Sequence, residues 1–290
     1  MVRGDAMKIG FNMLLWTTNV TEKELPLLKR LKKIGYDGVE IPLFGGKVER
    51  YKKISSAIRD NGLGCTTVTC IPDEMHNPLS ADASHRKGAV EFLKWAIDCS
   101  EALRSDILCG PFYQPLGVFT GKAPTEAEKK HAADVHRKAA NYAARAGVTL
   151  AVEYLNRFEC YFLNTMADAA AYVRRVNHPN VGILFDTFHA NIEEKDPVGC
   201  IGNYIKLVKH VHISENDRGT PGRGHIDWPG TFKALRSGGY NGWFVIEAFG
   251  RALPDLAAAT KVWRDFFKNQ QEVYTEGLRF VRKQWKAAAR

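Results

Sequence analysis

Short apolar runs alternate with longer amphipathic stretches along almost the whole chain. The apolar run at residues 9–15 is followed by Thr21 with acidic residues close behind it, and Gly35 stands where the amphipathic pattern stops. A hydroxyl residue before acidic residues is typical of a helix start, and glycine is typical of a helix end. The pattern therefore predicts a strand and then a helix, and this unit recurs seven more times.

The predicted strands cover residues 9–15, 38–43, 63–71, 106–109, 148–152, 181–185, 208–211 and 243–246. The helices between and after them are predicted at residues 21–35, 47–60, 81–103, 125–147, 165–176, 196–206 and 229–237, with final helical segments at 253–268 and 272–289. Thr125 and Glu128 have the spacing of a capping box at the start of the fourth helix.

The strand runs are continuously apolar, which is typical of a parallel sheet that is covered on both faces. Eight strands, each followed by a helix, predict an α/β fold, a single (β/α)8 TIM barrel over residues 7–290 with an extra C-terminal helix. Residues 1–6 are expected to form a disordered N-terminus. An open doubly wound sheet is the alternative, but no Gly-x-Gly-x-x-Gly motif follows the first strand.

Composition and charge narrow the class of protein. No apolar run approaches the roughly 20 residues that span a membrane. Six cysteines are scattered without a Cys-x-x-Cys pair, which favours reduced thiols and a cytoplasmic protein. The net charge of +9 raises the question of nucleic-acid binding. The basic residues are interleaved with acidic ones along predicted helices, however, so we interpret them as solvated helix faces and expect no nucleic-acid partner.

Four potential metal ligands stand at or just past the ends of the last four predicted strands. They are Glu153, Asp186, His212 and Glu247. In a parallel barrel the C-terminal ends of the strands meet on one face, where catalytic groups collect. The four side chains are therefore predicted to converge on one cation. Three carboxylates and one imidazole suit Mn²⁺ or Mg²⁺ better than Zn²⁺.

This ligand set predicts proton transfer next to a carbonyl group. Four protein ligands leave about two positions open on an octahedral ion, which a substrate carbonyl and an adjacent hydroxyl would fill. The ion would then stabilise the enediolate that forms when the neighbouring carbon loses its proton. Glu153 and Glu247 lie on the fifth and eighth strands and are predicted to flank the substrate as an acid/base pair.

Four segments carry a resemblance to a known family. They are Asn-Arg-Phe-Glu at 156–159, Asp-Thr-Phe-His-Ala-Asn-Ile-Glu-Glu at 186–194, His-Val-His-Ile-Ser-Glu-Asn-Asp-Arg at 210–218 and Ile-Glu-Ala-Phe at 246–249. With them, the chain resembles the ketose 3-epimerases, the D-tagatose, D-psicose (allulose) and L-ribulose 3-epimerase group of the xylose-isomerase-like barrels. The resemblance extends from Gly10 to Asp265.

The resemblance implies roles for individual residues. Mn²⁺, with Co²⁺ or Mg²⁺ as alternatives, would be bound by the four ligands, two of which, Glu153 and Glu247, would double as acid and base. The O1–O3 end of a free ketose would be bound by Glu159, His189 and Arg218. The distal sugar pocket would be lined by Trp16, Cys70 and Phe249, although plain core packing is an alternative interpretation of these three.

The resemblance also implies a homodimer or homotetramer. The C-terminal helical portion, which carries Trp263, Phe266, Phe267 and Trp285, is expected to supply an apolar contact surface.

Three other activities stay open at this point. An aldose–ketose isomerase, hydroxypyruvate isomerase or inosose dehydratase would share the metal ligands. A sugar-phosphate epimerase would use the glycine-rich loop at residues 218–225, which contains two arginines. An apurinic endonuclease is disfavoured, because it would need additional histidines where the chain has Glu40, Cys70 and Cys109.

Overall fold

The computed structural model describes residues 7–289 and contains eight parallel strands that close into a barrel in chain order. The strands are β1 (Lys8–Asn12), β2 (Gly38–Pro42), β3 (Gly64–Val68), β4 (Ile107–Gly110), β5 (Thr149–Glu153), β6 (Val181–Asp186), β7 (Val208–Ile213) and β8 (Trp243–Ile246). Pairing of β1 with β8 closes the barrel and places Phe11 beside Ile246. The predicted (β/α)8 barrel is confirmed. The predicted disordered segment, residues 1–6, lies outside the described residues.

Ten α-helices surround the barrel in the described part of the chain. They are α1 (Leu25–Ile34), α2 (Val48–Asp60), α3 (Ala83–Ala102), α4 (Glu126–Arg145), α5 (Met166–Val176), α6 (Thr187–Glu193), α7 (Gly199–Tyr204), α8 (Trp228–Ser237), α9 (Pro254–Ala259) and α10 (Gln270–Ala287). Between residues 7 and 289, none of these helices combines the length and apolar character that a membrane crossing needs.

Local sequence explains several helix ends. Thr125 and Glu128 form both hydrogen bonds of the predicted capping box at the start of α4. Gly35 ends α1 with a φ of +116°, a conformation that costs little only without a Cβ atom.

Two predicted elements are shorter than the sequence pattern indicated. The apolar run at 9–15 was predicted as one strand, but β1 ends at Asn12. The Asn12 side chain accepts a hydrogen bond from the backbone N–H of Leu14 and starts a turn of 3₁₀-helix. The predicted helix at 253–268 is helical only over Pro254–Ala259. Short turns follow, and Val262 is buried against the barrel there.

The expected apolar surface of the C-terminal helical portion is mostly absent. The ring of Trp285 on α10 packs against Phe244 of β8, with the ring centroids 5.1 Å apart. Phe267 also packs against the core. Trp263 precedes α10 and is exposed. The apolar positions of α10 thus face the chain's own barrel, and of the four aromatic residues expected at this surface Trp263 is the exposed one.

The barrel interior is polar below its C-terminal mouth. Polar side chains that are at most 1% exposed occur within the first three strands and β7, and they include Asn12, Glu40, Thr66 and His210. Bulky apolar residues usually fill this position in a barrel. The interior therefore holds a second polar layer beneath the strand ends, and this layer supports the site described next.

Candidate metal centre and active site

The four predicted metal ligands meet at the barrel mouth. One ligand atom from each of Glu153, Asp186, His212 and Glu247 lies within 4.8 Å of the others, and all four residues are buried. Two of them, Glu153 and Asp186, are the last residues of β5 and β6. Glu247 directly follows β8. Adjacent strand ends in a closed barrel thus bring together residues that are far apart in the sequence.

Local hydrogen bonds orient Asp186. Its Oδ1 atom accepts a hydrogen bond from the backbone N–H of Phe188 at 2.6 Å and caps α6. Helix α6 was not predicted, because its N-cap, Asp186, was interpreted as part of the metal-ligand motif. Capping occupies Oδ1 and leaves Oδ2 directed toward the other ligands.

The imidazole of His212 is oriented from below. Its Nε2 atom lies 2.8 Å from Oε1 of Glu40. Its Nδ1 atom lies 3.4 Å from Glu247 Oε1, 3.7 Å from Asp186 Oδ2 and 4.0 Å from Glu153 Oε1. Within the described residues Nδ1 is buried and has no hydrogen-bond partner. A buried ring nitrogen facing three carboxylates is the arrangement of a metal ligand.

The charges of the site also fit a cation. Three buried carboxylates surround His212, and the guanidinium of Arg218 contributes one positive charge to them. Burial of several carboxylates together is costly unless a cation neutralises them. Oxygen donors with one imidazole suit a hard or borderline divalent ion. The residues present therefore fit a divalent metal.

The pKa values of Glu153 and Asp186 are shifted in different directions. Burial raises the pKa of Glu153 well above its usual range; the nearby His212 opposes this shift, and the negative charges of Glu247 and Asp186 add to it. Burial also opposes ionisation of Asp186, but the charge of Arg218 outweighs it and lowers the pKa of Asp186. Burial and the neighbouring charges thus shift the pKa values of Glu153 and Asp186 in opposite directions.

Arg218 links the ligands to the loop after β7. Its Nη1 atom donates to Asp186 Oδ2 at 3.1 Å and to Glu247 Oε2 at 2.7 Å. The guanidinium lies over the rings of Phe188, at 3.8 Å, and Phe249, at 4.9 Å. Arg218 has a φ of +66°. This conformation is uncommon for a residue other than glycine and often marks functional sites.

The loop that carries Arg218 is fastened to α10. The side chain of Thr220 hydrogen-bonds Glu272, and Arg223 pairs with Glu276. The carboxylate of Glu215 accepts the backbone N–H of Gly222. The loop conformation thus depends on contacts with the last helix.

His189 and Glu159, which were predicted to bind the sugar, lie next to the ligands. The Nε2 atom of His189 is 2.9 Å from Arg218 Nη2 and 3.6 Å from Glu153 Oε1. Burial, together with Arg218, lowers the pKa of His189 to about 3, so its ring is neutral at physiological pH. The Oε1 atom of Glu159 accepts a hydrogen bond from Asn156 Nδ2 at 2.7 Å. Asn156 also donates its backbone N–H to His189 Nδ1.

The three residues predicted for the distal pocket differ in their surroundings. Phe249 is buried beneath Arg218. Cys70 is partly exposed, and burial together with the charge of Glu153 raises the pKa of its thiol to about 12. The ring of Trp16 packs against the rings of Phe11 and Tyr274, with centroid distances of 4.9 and 5.8 Å, so at least one face of the Trp16 ring is part of the core.

Sequence reasoning missed part of the site. Asn12 donates to Glu247 and Glu40, while Ser214 accepts a hydrogen bond from Arg218. Glu40 had been considered only as a replacement for a zinc-binding histidine. A signal was present, because a charged residue inside the apolar run at 38–43 must be buried and needs a partner.

Comparisons with known proteins identify relatives of the chain. Residues 28–284 match the family described as xylose isomerase-like TIM barrel. The chain is 31% identical over 279 residues to the ketose 3-epimerase of Arthrobacter globiformis, covering 95% of this chain and 96% of the relative. It is 30% identical over 270 residues to the D-psicose 3-epimerase of Ruminiclostridium cellulolyticum, with 92% of each protein covered.

A solved structure shows the same architecture. The structure of an L-ribulose 3-epimerase superposes with a TM-score of 0.92 at 28% identity and covers 98% of this chain and 96% of that one. With a family match over most of its length and a relative above 30% identity, this chain belongs to the ketose 3-epimerase family of the xylose isomerase-like TIM barrels.

Proposed function

We propose that this enzyme epimerises a free ketose at C3 with the help of one divalent cation. The observation that carries the proposal is the buried cluster of Glu153, Asp186, His212 and Glu247, in which the Nδ1 atom of His212 faces three carboxylates. The named relatives support the substrate class, since they include D-psicose and L-ribulose 3-epimerases.

The four clustered residues would hold the cation. Mn²⁺ suits three carboxylates and an imidazole, and Co²⁺ or Mg²⁺ are alternatives. When bound, the cation would polarise the substrate carbonyl and stabilise negative charge on the adjacent oxygens. Every other task in the reaction falls to the side chains of the chain.

Glu153 and Glu247 are the proposed acid and base. Epimerisation needs one group that removes the C3 proton and another that returns a proton from the opposite face. Burial raises the pKa of Glu153 in the metal-free chain. Glu247 accepts N–H groups from Asn12 and Arg218. The two proposed groups thus have different surroundings.

Positioning of the sugar is proposed for Arg218, His189 and Glu159. Arg218 donates N–H groups to oxygens, and Glu159 accepts hydroxyl protons. His189 is neutral, so it does not add a second positive charge beside the cation. Phe249, Cys70 and Trp16 are the proposed wall around the distal carbons, and the neutral Cys70 thiol adds no charge to that wall.

A free sugar fits the site better than a sugar phosphate. The positive charges of both arginines in the loop after β7, which would attract a phosphate, are already offset by carboxylates: Arg218 pairs with Asp186 and Glu247, and Arg223 pairs with Glu276. The carboxylate of Glu215 lies within the same loop and would repel a phosphate. The loop is therefore proposed as a pocket wall.

Isotope exchange in D₂O tests the reaction. The metal-loaded enzyme is incubated with D-fructose, D-tagatose or L-ribulose, and the products are analysed by NMR. We expect deuterium at C3 and formation of the C3-epimeric ketose. Deuterium at C1 or C2 with an aldose product would instead show an aldose–ketose isomerase. Turnover of ketose phosphates alone would show a sugar-phosphate epimerase.

Further proposals concern partners and location. The exposed aromatic side chains Phe119, Phe158 and Trp263 support a homodimer or homotetramer, which sedimentation equilibrium would measure. All six cysteines are free, which supports a cytoplasmic location. Ion pairs such as Lys130 with Asp134 and Arg175 with Glu126 occupy basic residues on the helices, so no nucleic-acid partner is proposed. Binding of abasic duplex DNA with a steep salt dependence would contradict this point.

A further inference from the structure

Glu40 lies in the polar layer beneath the metal ligands and accepts five hydrogen bonds. Its carboxylate is fully buried in the barrel interior. Its Oε1 atom accepts from Asn12 Nδ2 at 3.0 Å and His212 Nε2 at 2.8 Å, and its Oε2 atom accepts from His210 Nε2 at 2.7 Å, Thr66 Oγ1 at 2.9 Å and Cys109 Sγ at 3.3 Å.

This carboxylate decides which nitrogen of His212 carries the proton. A neutral imidazole has one N–H group and one lone pair. Because Nε2 faces the Glu40 carboxylate, the proton belongs on Nε2, and the lone pair of Nδ1 points toward Glu153, Asp186 and Glu247. Without an acceptor below the ring, nothing would favour this tautomer over the one that cannot bind a metal through Nδ1.

The same carboxylate also reaches the proposed acid/base residue. Asn12 Nδ2 bridges the two levels, because it lies 3.0 Å from Glu40 Oε1 and 2.9 Å from Glu247 Oε1. The Oδ1 atom of Asn12 is held by the backbone N–H of Leu14, so the amide cannot rotate freely. One buried group thus contacts a metal ligand directly and a second ligand through one side chain.

We propose that Glu40 is a positioning residue that fixes the tautomer and orientation of His212 for metal binding and, through Asn12, orients Glu247. This inference rests on the metal site of the proposed function. Carboxylates that accept the second N–H of a liganding histidine are a general feature of metal centres, and their loss typically lowers metal affinity about 10–100-fold.

The polar layer itself is not assigned as a second metal site. Ligand atoms of Glu40, Cys109, His210 and His212 do lie within 4.8 Å of one another. The Cys109 thiol is directed at Glu40 as a hydrogen-bond donor, however. Asn12 and Thr66 fill the remaining acceptor positions of Glu40. We therefore expect one metal ion per chain.

The substitution Glu40→Gln tests the inference. Glutamine keeps the size of the side chain, but its amide N–H₂ group would face the N–H and O–H donors that the carboxylate accepts. We expect the dissociation constants of Mn²⁺ and Co²⁺, measured by calorimetric titration, to rise about 10–100-fold. The visible absorption of bound Co²⁺ should also change, because it reports the geometry of the ligands.

Thr67→Val is the matched control. Thr67 is the residue after Thr66 on β3, is equally buried, and hydrogen-bonds Ser100 and the carbonyl of Ile107 instead of Glu40. The control removes a buried hydrogen bond from the same strand, so it should lower stability while leaving the metal dissociation constants within about twofold. Equal loss of metal affinity in both variants would reduce Glu40 to a structural role and overturn the inference.

A measurement on the unmodified enzyme covers the case in which Glu40→Gln does not fold. Protein with ¹⁵N-labelled histidine is loaded with diamagnetic Zn²⁺, and His212 is assigned by comparison with a His212→Asn sample. We expect the metal to shift the Nδ1 signal while Nε2 keeps its proton. A proton on Nδ1, or two bound ions per chain, would contradict the proposal.

The results separate this inference from the proposed function. If the unmodified enzyme binds no divalent cation, the proposed metal-dependent function fails. If it binds one ion and Glu40→Gln binds the ion equally well, only the role of Glu40 fails.

Discussion

Two buried acidic clusters share one histidine, and they are built in opposite ways. At the barrel mouth, Glu153, Asp186 and Glu247 lie close together around the Nδ1 atom of His212, which has no hydrogen-bond partner among the described residues. Beneath them, the single carboxylate of Glu40 accepts five donors, including the Nε2 atom of the same histidine. The upper cluster thus brings three carboxylates together, whereas the lower one contains a single carboxylate surrounded by hydrogen-bond donors.

The difference shows in which cluster the protein itself satisfies the hydrogen bonds and balances the charge. The protein satisfies Glu40 internally: burial opposes ionisation of this carboxyl, but its interactions with His212 and His210 outweigh burial and lower its pKa. The mouth cluster has an excess of negative charge that Arg218 offsets only in part. We therefore assign the Glu40 layer a structural role, because its hydrogen bonds are made within the protein. The mouth cluster, whose negative charge is not balanced, is the proposed cation site. The following predictions test this contrast.

The largest effect is expected on catalysis. Glu153→Gln and Glu247→Gln should each reduce kcat for ketose epimerisation about 10²–10⁴-fold, because each removes a group that exchanges protons with the substrate. Steady-state kinetics at saturating Mn²⁺ measures this, with the exposed Glu22→Gln as a control. Unchanged turnover in either mouth variant would show that the acid/base assignment is wrong.

The metal-free protein should respond in opposite directions to substitutions in the two clusters. At neutral pH, Glu153→Gln should raise the free energy of unfolding, because it removes an acid whose pKa is raised in the folded state. Glu40→Gln should lower it by about 3 kcal/mol, because several buried donors lose their partner. Urea unfolding in the presence of EDTA measures both. Changes of the same sign would remove the distinction between the clusters.

Metal binding should stabilise the mouth cluster. Mn²⁺ at about 100 times its dissociation constant should add about 2.7 kcal/mol to the free energy of unfolding, because only the folded chain presents the site. EDTA should reverse the rise in Tm. Asp186→Asn should lose most of the effect, since it removes a charge that faces the other ligands. Stabilisation of equal size in that variant would place the ion elsewhere.

The smallest effect is a pH dependence of the metal-free protein. Because the pKa of Glu153 is raised on folding, its contribution to stability is present below the unfolded value of about 4.3 and is lost as the pH rises through the folded value. One such group contributes a slope of at most about 1.4 kcal/mol per pH unit. Unfolding curves between pH 5 and 9 should show this decline, and Glu153→Gln should flatten it. For Glu40 the sign is reversed, and stability is lost as the pH falls.

The mouth cluster could be predicted from the sequence, and the lower layer could not. Glu153, Asp186 and Glu247 stand at the ends of apolar runs, so counting strands was enough to place them on one face. Glu40 lies inside an apolar run, which indicates that it is buried, but its partners depend on how the strands tilt and stagger when the barrel closes. No local pattern specifies these partners.

The pairing of Asn12 with Glu247 is a second feature that sequence could not supply. The two residues are 235 positions apart, and they meet because β1 pairs with β8. Helix α6 was missed for another reason, because its N-cap, Asp186, was interpreted only as a ligand. Asp186 is both a proposed metal ligand and a helix cap, but the sequence pattern indicated only the first role. The second role is apparent only in the structure.

The attachment of the Arg218 loop to α10 bears on how the enzyme matures. The partners of Thr220 and Arg223 are made about 50 residues later in the chain. During synthesis, these two contacts can form only after that helix has emerged and docked. A nascent chain that already contains all eight strands would lack them, so we expect the loop that carries Arg218 to be the last part of the site to be completed.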